Sequence, residues 1–146
     1  MKILFLCTGN SCRSQMAEGL ATSWLAKASG PKGWPPGGWE FKSAGTMPSG
    51  VHPRTIESMR EIGIDISSHT SKQVDEKMLA WADHIITLCD SAKGCVYIPP
   101  PKKTTHWSIP DPVGATGDET HILKSFAKTR NIIQGHLDEF FKQHKK

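Results

Sequence analysis

Apolar positions fall along this chain in two alternating rhythms. Lys2 to Leu6 is a short, almost wholly apolar run, which predicts a buried strand. From Ser14 the rhythm changes. Met16, Ala17, Leu20, Trp24, Leu25 and Ala28 recur at steps of three and four, predicting an amphipathic helix that ends at Gly30-Pro31. Trp39 to Ser43 alternates apolar and polar as a half-buried strand does, with Ala44-Gly45 expected to turn the chain. Pro53 suits the first position of a helix whose apolar face is Ile56, Met59 and Ile62, and Gly63 stops it. Ser67 to Lys72 is a polar connection, and a short helix is expected from about Asp75 to Trp81. Then come a buried strand over His84–Leu88 ending at Cys89, a short strand near Thr105–Ser108, and a closing Ile109-Pro110-Asp111-Pro112. Ile122, Phe126, Ile133, Leu137 and Phe140 mark a long helix from about Glu119 to Phe141.

Strands alternating with helices predict an α/β fold, a single domain over 1–146 with a four-stranded parallel sheet and helices on both faces. In such a sheet functional groups gather beyond the carboxyl ends of the strands. Cys7, Cys89 and Asp111 each follow a predicted strand end, so residues far apart in sequence would share one edge. Residues 30–38, Gly-Pro-Lys-Gly-Trp-Pro-Pro-Gly-Gly, have the composition of a stiff surface loop, with Trp34 expected to pack on its own domain.

Composition narrows the function. The chain of 146 residues carries a net charge of +4, which suits an anionic substrate, although part of the excess sits in Lys142-Gln143-His144-Lys145-Lys146. No basic stripe interleaved with aromatics argues for nucleic acid. No run approaches the ~20 apolar residues of a membrane span, and the N-terminal run is too short for a signal peptide. A cytoplasmic location is therefore expected, where the four cysteines would be kept reduced. Their spacing, four residues between Cys7 and Cys12 and five between Cys89 and Cys95, lacks the tight pairs of a zinc site, so no metal is expected. The seven histidines are scattered and expected mostly on the solvated surface.

The chemistry centres on Cys7-Thr8-Gly9-Asn10-Ser11-Cys12-Arg13-Ser14, set between the first strand and the first helix. Backbone N–H groups of such a loop and the helix dipole converge on an anion, so Thr8, Gly9, Asn10, Ser11, Cys12 and Arg13 form a candidate oxyanion cradle. The same field favours a thiolate, and Cys7 is expected to titrate well below the ~8.5 of a free thiol. Arg13 offers a planar fork for two oxygens of a tetrahedral oxyanion. Ser14 can donate a hydroxyl hydrogen bond to the Cys7 sulfur. Taken alone, the eight residues also fit a Gly-Asn turn beside two buried cysteines.

The loop resembles that of the low-molecular-weight tyrosine phosphatase fold, and the wider stretch Cys7 to Gly19 is similar to the arsenate reductase branch coupled to thioredoxin. The likeness continues, in order, through Ser43-Ala44-Gly45, Asp65-Ile66-Ser67, His69-Thr70-Ser71, Thr87-Leu88-Cys89 and Asp111-Pro112. It implies arsenate as substrate, with phosphate or sulfate as competing oxyanions. It also implies a relay in which Cys7 attacks arsenate, Cys89 attacks Cys7, and Cys95 carries the disulfide outward to a thioredoxin-like thiol donor, no cofactor being tightly bound. Asp111 matches the family's general acid; its competing reading is an aspartate favoured before proline in a turn. Cys12 is read as a packing residue of the cradle.

A small tyrosine phosphatase is the alternative enzyme, though Val113-Gly114-Ala115 after Asp-Pro lacks that branch's aromatic residues. A non-catalytic oxyanion-binding or redox-sensing protein is the third possibility. Two departures stand out: the 89–95 segment is one residue shorter than usual and the 30–38 loop is inserted. A third concerns a potassium ion that some of these reductases bind through an asparagine, a glutamate, a serine and an aspartate. The first three match Asn10, Glu18 and Ser43, but Lys72 takes the aspartate's place. Lys72 either points inward to pair with Glu18 or outward to solvent.

Overall fold

A computed structural model describes residues 1–27, 39–89 and 103–144. The 30–38 loop with Trp34, the end expected for the first helix, and Cys95 lie outside the described residues.

The chain runs β1 (Lys2–Cys7), α1 (Arg13–Lys27), β2 (Glu40–Gly45), α2 (Pro53–Arg60), α3 (Glu76–Trp81), β3 (His84–Thr87), β4 (Lys103–His106), a 3₁₀ turn (Pro112–Gly114) and α4 (Glu119–Gln143). The four strands form one sheet in the order β2-β1-β3-β4, and every pairing is parallel. β1 lies inside the sheet and so buries both faces. Ile3 and Phe5, with Ile86, join Met16, Leu20, Met59, Phe126, Ile133 and Leu137 from α1, α2 and α4. Leu4 and Leu6, with Ile85, face the other way against Ala44, Ala82 and the α3 side chains Met78 and Leu79. Alternate residues of one short strand thus anchor two layers of helix, which explains why the sequence run has no polar side.

Several boundaries differ from the sequence reading. Ala44 and Gly45 do not turn the chain; they extend β2, pairing with Leu6 and Cys7. α2 ends at Arg60, so Ile62 leaves the apolar face and is 41% exposed. Gly63, at φ +81°, does stop the helix, and Ile64 N–H reaches back to the Met59 carbonyl at 3.0 Å. β4 begins two residues before the expected strand, while Trp107 and Ile109 beyond it supply the buried apolar side chains.

The histidines are not mostly solvated: of the seven only His121 is exposed, His84 is buried and the rest are half-buried. His84 is buried because β3 is an inner strand and its α4-facing side is covered. Its ring meets Phe140 at 5.2 Å and its Nε2 meets Thr105 Oγ1 at 2.7 Å.

Candidate active site

The sheet delivers Cys7 as the last residue of β1, and the next turn of chain closes around it. What shapes that loop is the fate of its carbonyls. Met47 N–H donates to Thr8 O at 2.8 Å, Ser49 N–H to Gly9 O at 3.1 Å, and His52 N–H to Ser11 O at 3.1 Å. The Asn10 carbonyl accepts from the Ser71 hydroxyl at 2.7 Å and from Gln15 Nε2 at 3.3 Å. In a planar trans peptide the carbonyl and the following N–H point opposite ways. Four carbonyls held outward therefore turn the N–H groups of residues 9 to 12 inward. The neighbouring α1 N-terminus adds its positive end. The result is an anion cradle prepared before any anion arrives.

Backbone packing makes this geometry tight. Asn10 sits at φ +45°, in the left-handed region that asparagine tolerates better than most side chains. At Gly45 a Cβ would lie 2.5 Å from Thr8 O and 2.7 Å from Asn10 N, so only glycine lets β2 pass under the loop.

Behind the loop runs a hydrogen-bond chain whose direction is fixed by its first donor. Lys72 backbone N–H must donate, and it does so to Asn10 Oδ1 at 2.9 Å. The Asn10 amide then presents Nδ2 to Ser14 Oγ at 2.8 Å. Ser14, having accepted, is free to aim its hydroxyl proton at Cys7 Sγ, 2.8 Å away. Asn10 and Ser14 are both fully buried. The Asn10 side chain thus serves the sulfur from behind, leaving its N–H as the group that faces an anion.

Arg13 Nη1 donates to Ile109 O at 2.9 Å, and Nη2 lies 3.6 Å from Asp111 Oδ2. This ties the cradle to the segment after β4. Asp111 caps the 3₁₀ turn, with Oδ1 accepting from Val113 N–H at 3.0 Å. The turn role of Asp111 and its place over the cradle therefore coexist, one through each oxygen. Cys7, Thr8, Gly9, Ser11, Cys12, Arg13 and Asp111 share a cavity of about 480 Å³, whose far wall includes Met47, His52 and Val113. Burial pushes the Cys12 thiol up to about 12, which disfavours its thiolate. Cys7 and Cys12 are free thiols, whereas Cys89, buried just past β3, is disulfide-bonded.

Sequence reasoning missed the outer scaffold. His52 caps α2, its Nδ1 accepting from Arg54 N–H at 3.1 Å, and its ring lies 5.1 Å from Phe126. Burial, aided by Arg54, holds its imidazole below the ordinary range. Gln15 is fully buried and spans Asn10, Thr70 O at 3.1 Å and His69 Nδ1 at 2.9 Å. A glutamine on the apolar side of a helix was the available signal.

The residues do not fit a potassium ion. Asn10 Oδ1 already accepts from Lys72 N–H and from Gln15 Nε2 at 3.1 Å, and Ser43 Oγ donates to Glu18 Oε1 at 2.9 Å. Lys72 points inward. Its Nζ lies 4.0 Å from Glu18 Oε1 with the side chain one-third exposed, and donates to Thr70 O at 3.1 Å. Among the described residues no cluster of three or more His, Cys, Asp or Glu forms a metal site, and no helix is long and apolar enough to cross a membrane.

Comparison with known proteins agrees with this geometry. The family model for low molecular weight phosphotyrosine protein phosphatase matches residues 2–146. Arsenate reductase 2 of Staphylococcus epidermidis is 44% identical over 128 residues, 87% of this chain and 90% of that protein. The arsenate reductase of Bacillus subtilis is 42% identical over 139 residues, 94% of this chain and 93% of that one. A solved arsenate reductase in its phosphate-binding state superposes with a TM-score of 0.75 at 31% identity, covering 97% of each chain. With the family model spanning nearly the whole chain, the protein belongs to the low molecular weight phosphotyrosine protein phosphatase family, alongside arsenate reductases identical to it at 42–44% of the aligned positions.

Proposed function

We propose that this protein is an arsenate reductase that regenerates itself through a thioredoxin-like thiol donor. The observation that carries the reading beyond the fold is the redox state of its cysteines: Cys7 is free while Cys89 is disulfide-bonded. A phosphatase needs one thiolate and an acid; a reductase also needs a dithiol to supply two electrons.

In this reading the cradle and Arg13 hold arsenate against the Cys7 thiolate, which attacks arsenic while Asp111 protonates the departing oxygen. Cys89 thiolate then attacks Cys7 Sγ. A sulfur–sulfur bond forms, the sulfur–arsenic bond breaks, and its electron pair leaves with arsenic as arsenite. Cys95 attacks Cys89 in turn, freeing Cys7 as a thiolate and leaving a Cys89–Cys95 disulfide for the external donor. Phosphate fits the same cradle and competes for it.

The test is arsenite release with thioredoxin, thioredoxin reductase and NADPH, run beside hydrolysis of an aryl phosphate. Arsenite-coupled NADPH oxidation is expected. Rapid hydrolysis without arsenite would make the protein a phosphatase, and neither activity would leave an oxyanion binder. Cys95→Ser should still complete one turnover and trap a Cys7–Cys89 disulfide, identifiable by peptide mass spectrometry.

A further inference from the structure

One buried atom beside the relay is unexplained by the mechanism above. His106 Nε2 is fully covered and has no hydrogen-bond partner among the described residues. Leaving a buried polar atom bare is costly, so such an atom needs a reason.

Its neighbour in the sheet supplies one. Thr87 and His106 stand opposite each other at the ends of β3 and β4, and His106 Nδ1 lies 2.7 Å from Thr87 Oγ1. The ladder keeps its register beyond the strand ends: Trp107 N–H donates to Thr87 O at 2.8 Å and Ile109 N–H to Cys89 O at 3.1 Å. Cys89 therefore follows the Thr87–His106 pair by one pleat, on the same face of the sheet. Cys89 thus stands one strand over and one pleat along from His106, its diagonal neighbour in the parallel ladder. Cys89 is only 6% exposed, so bulk water is a poor acceptor for its proton. In the state described here Cys89 is disulfide-bonded, and a disulfide sulfur has no proton to donate. The orphaned nitrogen is what oxidation of its donor would leave behind.

We propose that His106 is the proton acceptor for Cys89, an assignment that rests on the thiol relay above. Thr87 fixes the tautomer by accepting from Nδ1–H, which leaves the Nε2 lone pair facing the reduced thiol. The proton passes from Cys89 Sγ to Nε2, giving a thiolate and an imidazolium. The thiolate then makes the bond to Cys7 Sγ as the sulfur–arsenic pair leaves with arsenic. When the external dithiol later reduces Cys89, the proton returns from Nε2 to sulfur.

The test follows Cys89 in the fully reduced protein, by iodoacetamide alkylation against pH with peptide mass spectrometry as the readout. A thiol with pKa ~8.5 is only about 3% ionised at pH 7. His106→Asn keeps a donor for Thr87 but removes the base, so alkylation of Cys89 at pH 7 should fall by up to about thirtyfold. The loss should vanish above pH ~9, where the thiol ionises unaided; a merely structural role would not restore it there. Superimposable pH curves for the two proteins would overturn the proposal. Should His106→Asn fail to fold, nitrogen NMR of histidine-labelled wild type decides. The His106 Nε2 resonance should move between reduced and Cys89-oxidised protein, and an unmoved resonance overturns the assignment. Neither readout involves arsenate, so a failure of the reductase reading would appear in the coupled assay and not here.

Discussion

Replacing Gly45 by alanine should damage the active site from beneath. The added methyl would lie 2.5 Å from Thr8 O, 2.7 Å from Asn10 N and 3.0 Å from Cys7 O, all of them backbone atoms. Carbon needs about 3.5 Å from such neighbours, so something must move by roughly 0.5–1 Å. β2 cannot retreat easily, because Gly45 N–H is bonded to Lys72 O and Gly45 O to Val74 N–H, both at 2.9 Å. The cradle moves instead. Overpacking of this kind costs about 1–3 kcal/mol, a fall in Tm of roughly 3–10 °C for a chain this long. The larger effect is catalytic, since a misplacement near 1 Å costs about 10² in rate and a lost oxyanion donor about 10²–10³. The coupled arsenite assay should show kcat/KM for arsenate reduced by about 10², and calorimetry should show weaker phosphate binding. Gly135→Ala is the matched control. It lies exposed in α4 with nothing within 4 Å of an added Cβ, so it should stabilise the protein by up to about 1 kcal/mol. Phosphate affinity and turnover in Gly45→Ala within about twofold of wild type, with Tm unchanged, would refute the account of the cradle.

Asp111→Asn keeps the cap on Val113 N–H but removes the proton, so turnover should fall by ~10²–10⁴ while phosphate still binds; an unchanged single-turnover rate would reduce Asp111 to its turn role. Because the Lys72 ammonium stands beside Glu18 and Asn10 Oδ1 is already engaged by Lys72 N–H and Gln15, KM for arsenate and Tm should match in potassium and sodium buffers of equal ionic strength, and a potassium-specific fall in KM would contradict this. Burial, then the nearby His144 and Lys103, hold His84 below its ordinary 6.5, so it is neutral when folded and gains a proton more readily when unfolded. Its contribution is intact above pH ~6.5 and is lost as pH falls below that; the urea midpoint should drop more between pH 7.5 and 5.5 in wild type than in His84→Gln, and equal drops would refute the assignment.

The layered fold was legible because its signals are local. A wholly apolar β1 and three- and four-residue steps in α1 and α4 each report burial directly. Boundaries slipped where tertiary contact overrode local habit. Ala44-Gly45 has turn composition, yet pairing with Leu6 and Cys7 draws it into β2. At the site, the loop residues were readable from their chemistry, whereas their supports were not. Nothing in Met47, Ser49 or His52 announces that their backbone N–H groups will bind loop carbonyls, because any residue but proline offers that donor. Lys72 could be read both ways from sequence, since a lysine's direction is set by what waits for it, here Glu18 and the Thr70 carbonyl.

The outward hold on the loop's carbonyls also says where the ability to grip an anion resides. Cys7 to Ser14 contains the thiol, the inward N–H groups and the arginine fork of the cradle, but none of the bonds on Thr8 O, Gly9 O and Ser11 O comes from within it. Cut out as a free peptide, those eight residues would let their carbonyls swing inward and repel the charge they now attract. Grafted into another strand–helix junction, they would recover binding only if the host supplied equivalent donors on the outer side. Proline at 47, 49 or 52 would disable the same loop from some forty residues away without altering a letter of it.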